Sequence, residues 1–127
     1  MIDIKTVESI HNILIDKFGG SNGIRDIGAL EASLARPYAT FDQKELYPTS
    51  IDKAAAVFES LIINHPFVDG NKRIAYVIMR ILIMADKSDI EASQDEKYAF
   101  VIASSRGELR YDEIKKWLTL HVSKKDI

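Results

Sequence analysis

Apolar residues recur along this chain mostly at intervals of three and four positions, which is the spacing that gathers them on one side of an α-helix. No segment shows sustained alternation of apolar and polar residues, the pattern of a half-buried β-strand. The pattern therefore predicts an all-α protein. The clearest helical stripe comprises Ile51, Ala54, Ala55, Phe58, Leu61 and Ile62.

Residues that cap or break helices divide the chain into six predicted helices. The fourth of these is apolar on nearly every side, which indicates a central position. The polar tail, residues 123–127, is expected to fray. The predicted helices cover Asp3–Phe18, the segment between an Asp26 cap and Pro37, the segment between a Thr49 or Ser50 cap and Asn64, Asn71–Ala85, Gln94–Arg106 after a Ser93–Glu96 capping box, and Tyr111–Val122.

The segment Tyr38–Pro48 has no clean helical period and contains three aromatic and two acidic residues. We predict an exposed flap or a short hairpin here, and an ordinary connector is the alternative. No repeat, linker or low-complexity tract interrupts the chain. We therefore expect residues 1–127 to form a single domain, a compact bundle of about six helices around a central buried helix, with a small hairpin in the flap as an option.

Composition narrows the classes of function. The 17 basic and 19 acidic residues nearly balance, which argues against broad electrostatic binding to nucleic acid. The absence of cysteine excludes disulfides and thiolate metal sites. The richest apolar run, Ile74–Ala85, is too short for a bilayer, which needs about 20 residues. We expect a cytoplasmic protein with no membrane contact and no direct nucleic-acid binding.

Candidate chemistry is concentrated in the loop before the fourth helix and in its first turn, at His65–Arg73 (HPFVDGNKR). A helix N-terminus presents unpaired N–H groups and a partial positive charge, and this favours anions such as phosphate. Gly70 lets the backbone amides turn inward. Lys72 and Arg73 oppose the helix dipole at this position, which makes sense if a polyanion binds there.

Two further residues of this run suit group transfer. Asp69 is a natural Mg²⁺ ligand beside a phosphate, because Mg²⁺ commonly binds one or two carboxylates together with phosphate oxygens. A neutral His65 can accept a proton from a hydroxyl near neutral pH. Each residue alone has a plain structural alternative, such as a helix cap or a solvated charge. Together they indicate phosphoryl or nucleotidyl transfer.

The run resembles the signature of Fic-domain proteins, His-Pro-Phe-x-Asp/Glu-Gly-Asn-Gly-Arg followed three residues later by a second arginine. Lys72 stands in place of the second glycine and Tyr76 in place of the second arginine. Both differences match the death-on-curing branch of the Fic/Doc superfamily, which reads Asn-Lys-Arg. The segments SNGIRDIGALEASLARP (21–37) and Gly107–Trp117 also resemble this branch, so the resemblance covers nearly the whole chain.

The resemblance implies a toxin of a type II toxin–antitoxin system. Members of this branch are understood to transfer the γ-phosphate of ATP, with Mg²⁺, to a threonine of elongation factor Tu and so to block translation. Partners would be an elongation factor Tu-like translation factor and a cognate antitoxin. The implied roles are His65 as general base, Asp69 as Mg²⁺ ligand, a phosphate cradle of Gly70, Asn71, Lys72 and Arg73, Phe67 as an anchor in the core, and the flap as a docking segment for the target.

Two alternatives stay open: transfer of AMP, as in typical Fic enzymes, and a binding module whose catalytic site has decayed. His11 and His121 are expected to pack rather than to bind metal. Arg80 is expected to pair with a buried acid, and the alternative is that it reaches the phosphates. Self-inhibition through Glu108 is rejected, because the arginine that such a glutamate engages is Tyr76 here.

Overall fold

Six helices form where the stripes and caps predict them. The computed structural model describes residues 2–125, and these residues confirm the mostly α-helical class. The helices are α1 (Ile4–Phe18), α2 (Ile27–Ala35), α3 (Ser50–Asn64), α4 (Asn71–Ala85), α5 (Gln94–Ser105) and α6 (Tyr111–His121).

Side-chain caps account for most helix starts. The carboxylates of Asp3 and Asp26 accept backbone N–H groups in the first turns of α1 and α2. Thr49 caps α3, and Asp52 completes a capping box with it. Ser93 and Glu96 form the predicted capping box of α5. These local contacts fix where the helices begin, and each needs only residues three positions apart.

The centre of the bundle is shared by α3 and α4, which pack against each other more extensively than any other two elements of residues 2–125. α3 also contacts α2, α5 and α6. The predicted central buried helix, α4, therefore lies in the middle of the bundle together with α3. One side of α4 reaches solvent, through Lys72, Arg73, Arg80 and Met84, which is 49% exposed. The fully buried core of these two helices comprises Ala54, Ala55, Ala56, Phe58, Leu61, Ile62, Ile74, Ala75, Ile78, Met79 and Ile83.

The flap is a short hairpin, as one of the two predictions had it. β1 (Thr40–Phe41) pairs antiparallel with β2 (Lys44–Glu45). Asp42 and Gln43 between them both have positive φ, 52° and 64°, the geometry of a two-residue hairpin turn. A single turn of 3₁₀-helix (Arg36–Tyr38) carries Pro37 and connects α2 to the hairpin.

A second pair of strands was not predicted. β3 (Ser88–Ile90) pairs antiparallel with β4 (Val122–Lys124). The expectation that the tail frays was therefore wrong for residues 123–125, since the N–H of Lys125 also donates to the carbonyl of Lys87. Asp126 and Ile127, the rest of that tail, lie outside the described residues. Among the helices of residues 2–125, none has the length and hydropathy needed to cross a membrane.

Candidate active site

The loop between α3 and α4 opens onto a cavity of about 900 Å³. α4 forms its floor, while α1 and α5 form its sides. The structure brings all the predicted site residues to this one cavity, namely His65, Asp69, Gly70, Asn71, Lys72 and Arg73.

His65 ends α3 in the left-handed conformation, with φ 48° and ψ 57°. This conformation costs a residue with a side chain about 1–3 kcal/mol, and the following proline adds a further restriction. Surrounding contacts must therefore hold the backbone of His65. Within residues 2–125 its imidazole makes no hydrogen bond, and His65 lines the cavity.

The segment between α1 and α2, residues 19–26, holds the other side of the loop. We call it the α1–α2 connector. Ile24 pairs with Phe67 in an isolated β-bridge, and the N–H of Val68 donates to Gly23 at 3.0 Å. The N–H groups of Arg25 and Asp26 both donate to the carbonyl of Pro66, at 2.7 and 3.0 Å. The loop is thereby tied to a segment about forty residues earlier in the chain.

Phe67 and His11 anchor the loop in the core. Phe67 is 1% exposed and stacks on the equally buried His11, with the ring centroids 3.9 Å apart. The resemblance implied this anchoring role for Phe67. His11 Nε2 lies 2.7 Å from the carbonyl oxygen of Asp69. Because a carbonyl only accepts, Nε2 must carry the proton, and His11 therefore packs as predicted while also holding the site loop.

The Asp69 carboxylate is fixed by two backbone donors. Its Oδ1 accepts the N–H of Gly70 at 2.8 Å, and its Oδ2 accepts the N–H of Ser21 at 3.1 Å. The hydrogen bond from Gly70, then that from Ser21, holds the pKa of this carboxyl below its ordinary value, and the charge of Arg73 acts in the same direction. Asp69 is therefore an ionised, solvent-facing carboxylate at neutral pH.

This carboxylate suits a hard divalent cation. Each carboxylate oxygen has two acceptor positions, and the backbone occupies one on each. Mg²⁺ commonly takes one or two protein carboxylates and completes its shell with phosphate oxygens and water. Residues 2–125 contain no cluster of three or more His, Asp or Glu residues of metal-binding geometry.

Gly20 and Gly70 lack a Cβ, and this lets their backbone lie close to the side chains around the loop. Gly70 has φ 72°, and a Cβ added to it would lie 3.2 Å from Ile15 Cδ1 and 3.4 Å from His11 Nε2. A Cβ on Gly20 (φ 116°) would lie 2.7 Å from Asp69 Oδ2. The motif pointed to Gly70 in the sequence, whereas nothing in the sequence linked Gly20 to Asp69.

The N-terminus of α4 faces the cavity without a side-chain cap. Within the described part of the chain, the backbone N–H groups of Asn71, Lys72 and Arg73 have no acceptor. Lys72 and Arg73 are both exposed, and the Arg73 guanidinium rests 4.8 Å from the centre of the Phe18 ring. Unpaired N–H groups and two cations together form a place where a polyanion is stabilised.

The side chain of Asn71 forms hydrogen bonds within the loop. Its Oδ1 accepts the N–H of Phe67 and its Nδ2 donates to the carbonyl of Phe67, both at 3.0 Å. The side chain therefore closes the loop on itself, while the second N–H of Nδ2 and the backbone N–H of Asn71 make no hydrogen bond within residues 2–125.

α5 supplies a wall of the cavity that the sequence did not indicate. Lys97 adds a third cation, and Tyr98 is an aromatic ring that is 71% exposed. Tyr76 of α4 also lines the cavity, with its hydroxyl oxygen buried and without a partner among the described residues. Burial raises the pKa of this hydroxyl, so it stays protonated at neutral pH.

The remaining predictions concern residues outside the cavity. Arg80 forms two hydrogen bonds to the partly buried Asp89, at 3.0 and 2.9 Å, as the acid-pair prediction had it. His121 stacks on Trp117 and lies 3.3 Å from Glu96, so it packs as expected. Glu108 is exposed and does not line the cavity.

Comparison with known proteins identifies the family. The model of the Fic/DOC family matches residues 1–83, and the chain belongs to this family. Within it, the chain is similar to Toxin Doc of Mycolicibacterium smegmatis (strain ATCC 700084 / mc(2)155), with 52% identity over 59 residues. The matched stretch covers 46% of this chain and 45% of the relative. The resemblance to the Doc branch of the superfamily is therefore confirmed.

Proposed function

We propose that this chain is the toxin of a toxin–antitoxin system, acting in the cytoplasm. It transfers the γ-phosphate of ATP to a serine or threonine hydroxyl of a translation factor similar to elongation factor Tu. Fic/DOC proteins transfer AMP or phosphate to proteins and generally use ATP with a divalent metal, and the similar protein from Mycolicibacterium smegmatis is named a toxin. The observation that carries the proposal is Lys72 in the first turn of the uncapped α4, facing the cavity beside Arg73.

In this proposal, His65 acts on the target hydroxyl, and the other site residues act on the phosphates of ATP. The imidazole of His65 accepts the proton of the target hydroxyl as its oxygen bonds to the γ-phosphorus. The bond from that phosphorus to the bridging oxygen breaks, and ADP leaves with the electron pair. Lys72, Arg73 and the N–H groups of α4 stabilise the phosphate charge. Asp69 would hold Mg²⁺, which neutralises phosphate charge when bound.

Two differences from typical Fic proteins favour phosphate over AMP transfer. A lysine at position 72 places a long cationic side chain where a glycine would leave open space beside the helix N-terminus. Tyr76, with a neutral hydroxyl, stands where an arginine would bind a terminal phosphate. AMP transfer is the second candidate, because the family includes such enzymes. A decayed binding module is the third, and the ionised Asp69 and the open His65 argue against it.

An isotope-transfer experiment separates these candidates. Purified elongation factor Tu is incubated with the protein, Mg²⁺ and ATP labelled at either the γ- or the α-phosphate, beside a His65→Ala control. We expect label from the γ-position only, and none with the control. Label from the α-position would establish AMP transfer and overturn the interpretation of Lys72. Label that persists in the His65→Ala variant would sink the general-base role.

A cognate antitoxin completes the proposal. We expect the antitoxin to bind over the cavity between α1, α4 and α5. ATP could then not enter the cavity. We expect co-purified antitoxin to abolish the transfer of label, and full transfer in its presence would contradict this placement.

A further inference from the structure

One residue outside the motif touches three successive carbonyl groups at the start of the site loop. The guanidinium of Arg25 donates from Nη2 to the carbonyl of Asn64 and from Nε to that of His65, both at 2.7 Å. The backbone N–H of Arg25 donates to the carbonyl of Pro66, also at 2.7 Å. A single side chain of the α1–α2 connector thus spans the end of α3, forty residues further along the chain.

These contacts fall where the backbone most needs support. The last carbonyls of a helix have no partner within the helix, and a cation near them is favoured by the helix dipole. His65 is also held in the left-handed region directly before a proline, a combination that residues with side chains avoid. The Arg25 guanidinium binds the carbonyl of this strained residue and that of the residue before it.

The direction of the His65 ring depends on that backbone. Within residues 2–125 no hydrogen bond holds the imidazole itself, so the Cα–Cβ direction set by φ and ψ is what aims it into the cavity. A change of His65 from the left-handed to the extended region would swing its Cβ to a different side. Whatever fixes this backbone therefore also fixes the ring.

We propose that Arg25 is a positioning residue for His65: by binding the carbonyls of Asn64 and His65, it holds the left-handed turn that points the imidazole at the substrate hydroxyl. The proposal rests on the general-base role of His65 under the proposed function. Arg25 itself does not touch the substrate, since it does not line the cavity.

The test compares Arg25→Ala with two matched controls. Asp26→Ala removes the side-chain cap of α2, whose Oδ1 accepts the N–H of Ala29 at 3.0 Å, and so weakens the same segment without touching the carbonyl contacts. Arg106→Ala removes an exposed arginine whose side chain has no hydrogen bond or ion pair within residues 2–125. Arg25→Gln, which can reach one carbonyl but not two, serves if Arg25→Ala does not fold.

The first readout needs no substrate. NMR spectra report the backbone shifts of His65 and its ring ¹⁵N signals, which the His65→Ala variant identifies by their loss. We expect Arg25→Ala to move or broaden these signals and both controls to leave them as in the parent. Unchanged His65 signals in Arg25→Ala would overturn the proposal, even if the parent protein transferred no phosphate at all.

The second readout is the transfer of γ-label described above. We expect kcat to fall roughly ten- to a hundredfold in Arg25→Ala with little change in the KM for ATP, because a misplaced base slows the chemical step. Low millimolar guanidinium should restore part of the rate in Arg25→Ala alone. In an active parent, an unchanged kcat, or a loss matched by the less stable Asp26→Ala, would refute the positioning role.

Discussion

Two histidines, one on α1 and one on α6, make nearly the same contacts. His11 stacks on Phe67 with 3.9 Å between ring centroids, and His121 stacks on Trp117 with 4.1 Å. Each also has a ring nitrogen 2.7 Å from a backbone carbonyl oxygen, that of Asp69 for His11 and that of Trp117 for His121. The difference between them is location, since only His11 touches the site loop.

Replacing His11 by phenylalanine keeps an aromatic ring against Phe67 but removes the donor to Asp69. We expect a loss of unfolding free energy of about 1–3 kcal/mol, because a partly buried carbonyl loses its partner. We also expect weaker Mg²⁺-dependent ATP binding, measured by titration calorimetry. His121→Phe is the matched control, with a similar cost in stability and unchanged ATP binding. Equal ATP affinity in both variants would show that His11 only packs.

Only some of the residues around the site could be predicted from the sequence. The motif grouped His65, Asp69 and Gly70 as candidate site residues, because all three lie within nine positions of the sequence. It could not locate the contact of His11, whose partner lies 58 positions away, or that of Ser21. A histidine on an apolar helix stripe looks the same whether it packs or holds a loop.

Among the secondary-structure elements, the antiparallel pair β3–β4 joins the segment after α4 to the segment after α6. Asp89 of β3 accepts two hydrogen bonds from Arg80 of α4, which ties this small sheet to the bundle. The hydrogen bonds from Arg80, aided by the N–H of Ile90, lower the pKa of Asp89 to about 2. Asp89 is thus a carboxylate whose ionised form stabilises the fold.

The ion pair between Arg80 and Asp89 makes the free energy of unfolding depend on pH. Since the folded pKa lies below the ordinary value of 3.8, the contribution is complete above about pH 4 and disappears as the pH falls towards 2. We expect Asp89→Asn to lose about 1 kcal/mol at pH 7, because Arg80 is half exposed and solvent screens the pair. Urea unfolding at several pH values should show parent and variant converging between pH 4 and 2. A constant difference would mean that another group causes the effect.

Short strands explain why this sheet was not predicted. Each strand has three residues, too few to show an alternating pattern, and the partners lie more than thirty positions apart. The helices, by contrast, carry their stripe and their cap within one segment. The flap hairpin lay between these cases, because its turn residues offered no glycine signal and only the lack of helical period marked it.

At the scale of the whole molecule, Glu59 connects three parts of the bundle. It lies on α3 and is 7% exposed. Its carboxylate accepts hydrogen bonds from Arg36 at 2.8 Å, from Arg110 at 2.9 Å and from the N–H of Tyr111 at 2.7 Å. Burial acts to raise the pKa of Glu59, but the hydrogen bonds from the two arginines outweigh it and hold the pKa below its ordinary value.

Removing this carboxylate should weaken the entire fold. We expect Glu59→Ala to lose about 3 kcal/mol of unfolding free energy, since the partly buried charge of Arg36 would lose its carboxylate partner. Glu45→Ala is the control, because the Glu45 side chain is 54% exposed and its pair with Lys53 should contribute less than about 1 kcal/mol. Urea unfolding measures both variants. Similar losses in the two would show that burial of Glu59 adds nothing to its pairs.

The turn at Asp42–Gln43 divides the chain between the two sets of residues that build the site. Within residues 2–125, His11 and the α1–α2 connector, which hold the loop from outside, precede this exposed turn, and the whole motif His65–Arg73 follows it. Neither half contains a complete site. We therefore expect two fragments divided at this turn each to lack the proposed transfer activity alone, and their reassociation in a living cell to act as a switch that restores it.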